Sequence, residues 1–207
     1  MKKIFLAILL ASVMNFAPTI FNSEIFQNVS VAYAEISDNK SAAKDKVAEG
    51  ILLVGRNNQE AIKKFNEAIK LNPNNAEAYL WRGHAYKDLK NYKKAIKDYT
   101  QVIKLNPKDT HAYQGRGLAY SKLKNYEKAI LDYTKAIELK PNDSVLYNMR
   151  AIFYEESKNY EQAILDYTKA IELKPDESIL YYQRGKCYQA LGENEKAEAD
   201  FAKARGK

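Results

Sequence analysis

The sequence predicts an all-α fold, a solenoid built from helix–turn–helix repeats. Three observations carry this. The 34-residue stretch AEAYLWRGHAYKDLKNYKKAIKDYTQVIKLNPKD at 76–109 is restated at 110–143 and again at 144–177, and a fourth copy begins at Ser178. A fixed period of this size marks a stacked array, in which each unit buries its apolar faces only against its neighbours. Within each copy the apolar residues recur three and four apart, which is one face of a helix. Prolines then close the copies, at Asn72-Pro73, Asn106-Pro107, Lys140-Pro141 and Lys174-Pro175. A proline has no amide hydrogen and biases the residue before it away from the helical region.

Composition bounds the rest. The chain has 207 residues, 46% hydrophobic and 29% charged, which excludes a disordered chain or a membrane bundle. Its net charge of +7 leans toward acidic partners. Cys187 is the single cysteine, so one chain can form neither an internal disulfide nor a cysteine-based zinc site. Fourteen of the 16 tyrosines fall in four recurring columns, so the repeat explains their abundance.

Residues 1–34 read as a signal peptide. Lys2 and Lys3 precede an apolar run from Ile4 to Met14, and Ala32-Tyr33-Ala34 supplies an A-x-A cleavage pattern. The run is shorter than the roughly 20 residues a membrane-spanning helix needs, which weighs against an uncleaved anchor. Cleavage after Ala34 implies export, to a periplasm or to the cell surface and beyond, with no transmembrane span in the mature chain. Residues 35–41 are polar and aperiodic and read as a linker.

Residues 42–75 form a degenerate first repeat. Ala61, Phe65, Ala68 and Pro73 match the second half of a unit, while Gly50 stands one residue closer to Ala61 than Gly83 does to Ala95. In repeat 2 (76–109) a helix is expected from about Glu77 to Leu89 and another from Tyr92 to Leu105, joined by Lys90-Asn91. Repeats 3 (110–143) and 4 (144–177) keep the pattern. The small columns Gly83/Gly117/Ala151/Gly185 and Ala95/Ala129/Ala163/Ala197 let paired helices approach closely, and Tyr99/Tyr133/Tyr167/Phe201 fill the space between them. Isoleucines at 62, 96, 130 and 164, and at 69, 103, 137 and 171, form two columns assigned to the junction with the following repeat. In repeat 5 (178–207) those columns hold Glu198 and Arg205, which predicts a capping face turned to water.

The unit resembles the tetratricopeptide repeat. The W-x2-L-G-x2-Y stretch of that family reads Tyr79-x2-Arg82-Gly83-x2-Tyr86, followed by Ala95, Tyr99, Val102 and Pro107. The resemblance covers about residues 42–207 and departs where Ala151 replaces glycine and where arginine replaces leucine. It implies a right-handed superhelical solenoid whose first helices line a concave groove that holds a partner segment.

Arg82, Arg116, Arg150 and Arg184 recur in register with Asp98, Asp132, Asp166 and Asp200. A ladder of bidentate ion pairs, within or between repeats, explains them better than a row of arginines awaiting a ligand.

The sequence contains no phosphate-loop, nucleophile-elbow or H-E-x-x-H motif. His84 and His111 have no carboxylate at ligand spacing, and Cys187 takes a column held by Ala85, Ala119 and Phe153, an interior position. No catalytic residue, metal or cofactor is therefore assigned. What remains is a surface. By the resemblance, the groove candidates are first-helix positions that the copies do not repeat: Glu77, Leu80, Trp81, His84 and Lys87; His111, Gln114 and Leu118; Asn148, Met149 and Ile152; Tyr182 and Lys186. Val145, Glu155, Ile179 and Gln183 vary in the same way. Trp81 and Met149 have a competing role as packing between helices. The expected partner is a protein or peptide. The alternative is an envelope polyanion on the basic surface; export argues against nucleic acid. Charge is uneven, +4 over residues 76–109 and −3 over 144–177, which allows weak head-to-tail self-association or a two-signed partner.

Overall fold

The computed structural model describes residues 23–206. The apolar run at 4–14 and most of the expected signal segment lie outside them. Among the described residues ten helices follow one another: α1 (Ser23–Leu53), α2 (Asn58–Leu71), α3 (Ala76–Asp88), α4 (Tyr92–Leu105), α5 (Thr110–Lys122), α6 (Tyr126–Leu139), α7 (Ser144–Glu156), α8 (Tyr160–Leu173), α9 (Ser178–Ala190) and α10 (Asn194–Ala204). No strand occurs among the described residues. None of these helices is long and apolar enough to cross a membrane. The chain divides into two compact units, the first ending at Ala78 and the second beginning at Tyr79, just inside α3.

In the first unit α1 packs along α2. Gly50 lets the two meet: a Cβ there would come within 2.5 Å of the Phe65 ring. Ala43, Val47, Ala61, Phe65 and Ala68 form the buried seam. At its margin Glu49 takes Lys46 and Lys64, each at 2.8 Å. The turn to α2 passes through Gly55 at φ 79°, and the Asn57 side chain accepts from the Glu60 amide. Residues 35–41 correct the linker expectation, because they are a continuous part of α1. Ser37 to Ser41 are all exposed, so the helix needs no apolar stripe there; Ala43 and Val47 anchor it further on.

The second unit repeats one packing rule. Each pair (α3–α4, α5–α6, α7–α8, α9–α10) closes where a small residue on the first helix meets an aromatic ring on the second. A Cβ on Gly117 would approach the Tyr133 ring to 2.9 Å, for example. The second helices begin at asparagine caps: Asn91, Asn125 and Asn159 accept from the amides of Lys94, Lys128 and Gln162. Such caps contribute about 1 kcal/mol each. The intervening turns carry Lys90, Lys124 and Lys158 at φ 58–61°, and Gly192 at φ 78° in the last pair.

Between pairs, Ile137 packs with Leu146 and Phe153 of the following repeat, and Ile171 with Leu180 and Cys187. This is the junction the isoleucine columns predict. Burying a large apolar side chain contributes roughly 1.5–3 kcal/mol, so each junction outweighs its caps. Glu198 and Arg205, in the same columns of the last pair, are exposed.

The arginine–aspartate ladder forms within each repeat. Arg116 Nε and Nη2 donate to the two Asp132 oxygens at 2.9 and 2.7 Å, and Arg150 and Arg184 repeat this on Asp166 and Asp200 at 2.7 and 2.8 Å. Arg82 does the same with Asp98. Hydrogen bonds donated to these carboxylates hold the guanidinium groups of Arg116, Arg150 and Arg184 above their ordinary pKa. A second contact was not anticipated. The remaining Nη1 of Arg116, Arg150 and Arg184 reaches back to Thr100, Thr134 and Thr168 of the preceding repeat, at 3.1, 2.8 and 2.9 Å. Tyrosines above and below complete the setting: the Arg184 guanidinium lies 5.8 Å from the rings of both Tyr181 and Tyr188.

Candidate functional site

The first helices of the second unit, α3, α5, α7 and α9, occupy equivalent places in stacked repeats, so their variable positions form one surface. Each helix contributes through residues three and four apart, the spacing that puts side chains on a common face. The structure groups the candidates into two stations.

The first station is aromatic. The Trp81 and His84 rings meet edge-on at 5.6 Å, and His84 meets the Tyr99 ring at 5.4 Å. The Tyr99 hydroxyl pairs with His84 Nδ1 at 2.9 Å. Burial, and then the charge of Lys87, lower the His84 pKa to about 4, so its imidazole is neutral at pH 7. Lys87 lies 3.7 Å from Asp88. Leu80 packs against the Tyr99 cluster, Gln114 is half-buried and His111 is exposed. Glu77 belongs to the first unit and is exposed there.

The second station is built round Glu155. Its Oε1 accepts from Lys186 Nζ of the next repeat at 2.7 Å, and its Oε2 accepts from the Tyr167 hydroxyl at 2.9 Å. The Glu155 bond raises the Lys186 pKa. On the same two helices stand three apolar side chains about half exposed: Val145 at 50%, Ile179 at 55% and Tyr182 at 49%. Ile179 and Tyr182 also line an open hollow of about 610 Å³ with Phe201 and Arg205. Asn148 is half-buried.

Not every candidate faces outward. Leu118, Met149 and Ile152 pack against the core made by Tyr113, Tyr133, Leu146 and Phe153, so their larger role is at the junction. Sequence reasoning also passed over contributors. Tyr99 and Tyr167 were assigned to packing alone, yet their hydroxyls hold His84 and Glu155. Nothing in the repeat pattern distinguishes them from Tyr133. The threonines at 100, 134 and 168 were legible as a column and overlooked.

Cys187 is 1% exposed and burial pushes its thiol up to about 12, which suppresses the thiolate. Among the described residues no three His, Cys, Asp or Glu side chains converge in a way that could hold a metal ion.

Family models described as tetratricopeptide repeat match residues 76–109, 111–143 and 132–165, and one described as TPR repeat matches 57–90 and 152–192. Together they span well over half of the chain. No curated protein matches it. Among solved structures, the chain is similar to MamA at 27% identity and a TM-score of 0.69, covering 72% of this chain and 87% of that one. It is similar in fold to MamA 41-end from Desulfovibrio magneticus RS-1 at 23% identity and a TM-score of 0.74, covering 80% and 94%. The likeness to YrrB, described as a TPR protein with an unusual peptide-binding site, is 24% in identity with a TM-score of 0.70, covering 82% and 88%.

Proposed function

The chain belongs to the tetratricopeptide repeat family, whose members are generally non-catalytic scaffolds for protein–protein interaction, and from that premise we propose that it is an exported scaffold holding a peptide segment of a partner protein along α3, α5, α7 and α9. The observation that carries this is the second station. Val145, Ile179 and Tyr182 keep about half their surface in water on the two helices that the Lys186–Glu155 pair ties together, with Tyr182 one turn from Lys186. Apolar groups exposed on helices that also carry an oriented ion pair suit a segment that inserts an apolar side chain at one end and aligns its polar backbone on the charges at the other. The copies do not share these side chains, so stacking does not require them. Export is supported by Lys2 and Lys3, the apolar run from Ile4 and the Ala32-Tyr33-Ala34 pattern, and places the scaffold in a periplasm or at the cell surface.

The test is a photo-crosslinker at Asn148 in the native cell, with the same probe at Lys135 on a second helix as control. Capture of a discrete partner at Asn148, lost on Ile179→Ala with Tyr182→Ala while the helical signal is unchanged, supports the reading. Equal capture at both positions, or capture indifferent to the two substitutions, overturns it. A second reading, a polyanion on the basic surface, is favoured by the exposed lysines Lys90, Lys93, Lys122 and Lys124. Partner binding that disappears between about 50 and 200 mM salt would favour it.

A further inference from the structure

The turns joining first to second helices follow one another along one edge of the second unit. Tyr126, at the start of α6, donates its hydroxyl to Glu156, at the end of α7, so successive turns are in contact. Their charge is ordered. Residues 88–94 hold three basic and one acidic side chain, and residues 122–128 hold three and one. Residues 156–162 hold one basic and two acidic, and residues 190–196 hold one and two. The edge is therefore positive over two repeats and negative over the next two.

Repeat packing does not account for this. Lys90, Lys93, Lys122 and Lys124 are exposed and have no ion-pair partner among the described residues. Lys93 also breaks a local rule. It sits in the first turn of α4, where the helix dipole favours a carboxylate, and the equivalent positions hold Glu127, Glu161 and Glu195. A residue that opposes local stability without local compensation points to a role elsewhere. Leu89 and Leu123 are more than two-fifths exposed on the same basic turns.

We infer that this edge is a self-complementary docking surface for a second copy of the chain, the two edges running antiparallel about a two-fold axis between repeats 3 and 4. That axis sets Lys122 and Lys124 against Glu156 and Glu161 of the second copy, and Lys90 and Lys93 against Glu193 and Glu195. The charge order selects this occupant: an anionic membrane laid along the edge would attract two turns and repel two, whereas an inverted copy meets opposite charge at every turn. The contact is edge-to-edge, not head-to-tail, and leaves the groove open. It is independent of the proposed peptide binding.

The test uses the full chain in sedimentation equilibrium at about 100 µM. A dimer is expected at about 50 mM salt, with its association constant falling at least about tenfold by 500 mM as screening shortens the reach of the charges. Lys122→Glu with Lys124→Glu, and separately Glu156→Lys with Glu161→Lys, should each be monomeric and should dimerise when mixed. Lys93→Glu should weaken the dimer yet raise the melting temperature, a combination that a misfolded variant cannot give. A wild-type monomer at low salt, a reversed variant that still dimerises, or a mixture that stays monomeric overturns the inference. A monomer that sediments with vesicles of anionic lipid overturns it in favour of a membrane.

Discussion

Arg150 donates its Nη1 to the hydroxyl of Thr134, one repeat earlier in the chain, at 2.8 Å, while its other two donors hold Asp166 within its own repeat. One guanidinium thus fixes the angle between its own two helices and ties that pair to the pair before it. The Asp166 side chain is 8% exposed, and the arginine is its ion-pair partner there. Asp166→Ala is expected to destabilise by about 3–5 kcal/mol, the effect of stranding a partly buried charge. Thr134→Val keeps the shape and removes one bond, for about 1 kcal/mol. Amide hydrogen exchange would separate them: the first should loosen α7 and α8, the second chiefly the junction between repeats 3 and 4.

Gly115 faces the ring of Tyr99 from the next repeat, and a Cβ there would come within 2.6 Å of it. Alanine at a helical position normally gains about 1 kcal/mol over glycine. Here overpacking, at about 1–3 kcal/mol, should match or outweigh the gain. Gly115→Ala is therefore predicted not to stabilise, and to do so in a Tyr99→Leu background. Urea denaturation of the four proteins gives the coupling; additive effects would mean that the ring does not constrain this site.

The His84 pKa of about 4 makes the protein acid-sensitive. Above pH about 6.5, the ordinary histidine value, folded and unfolded chains are both neutral at this position. As pH falls from there toward 4 the unfolded chain takes up the proton first, so stability is lost over that window. The melting temperature should fall between pH 7 and 4.5, and less steeply in His84→Asn, whose carbonyl can still accept from Tyr99. Equal slopes would show that His84 titrates normally.

Lys158 holds φ 61°, where Gly192 stands in the following repeat at φ 78°. A left-handed backbone costs a residue with a Cβ about 1–2 kcal/mol. Lys158→Gly should raise stability by about 1 kcal/mol, and Gly192→Lys should lower it by a similar amount, both measurable by thermal melting.

Much of this architecture was legible in the residues. The prolines stop helices at Leu71, Leu105, Leu139 and Leu173, one residue before the capping position in each case. Asp98 and Arg82 pair because their separation of 16 residues returns the chain, through one turn, to the same level. The linker reading of residues 35–41 failed because periodicity reports burial, and a solvated helix has none to report. The site was less legible. Trp81 and Met149 occupy the same position of their repeats, yet one joins the His84 station and the other packs against a junction core.

The sequence by itself determined the repeat, its approximate helix boundaries and the existence of an arginine–aspartate ladder, because each depends on a pattern that recurs every 34 residues; that the pairs close within a repeat was decided by the packing. Only the tertiary structure decided what each unit presents outward. Tyr99, Tyr133 and Tyr167 are equivalent in their own repeats, but each packs against the next one, where the facing pair is Gly115 and Ala119, then Met149 and Phe153, then Gln183 and Cys187. Among those different neighbours the Tyr99 hydroxyl pairs with His84, the Tyr167 hydroxyl donates to Glu155, and the Tyr133 ring meets Phe153 edge-on.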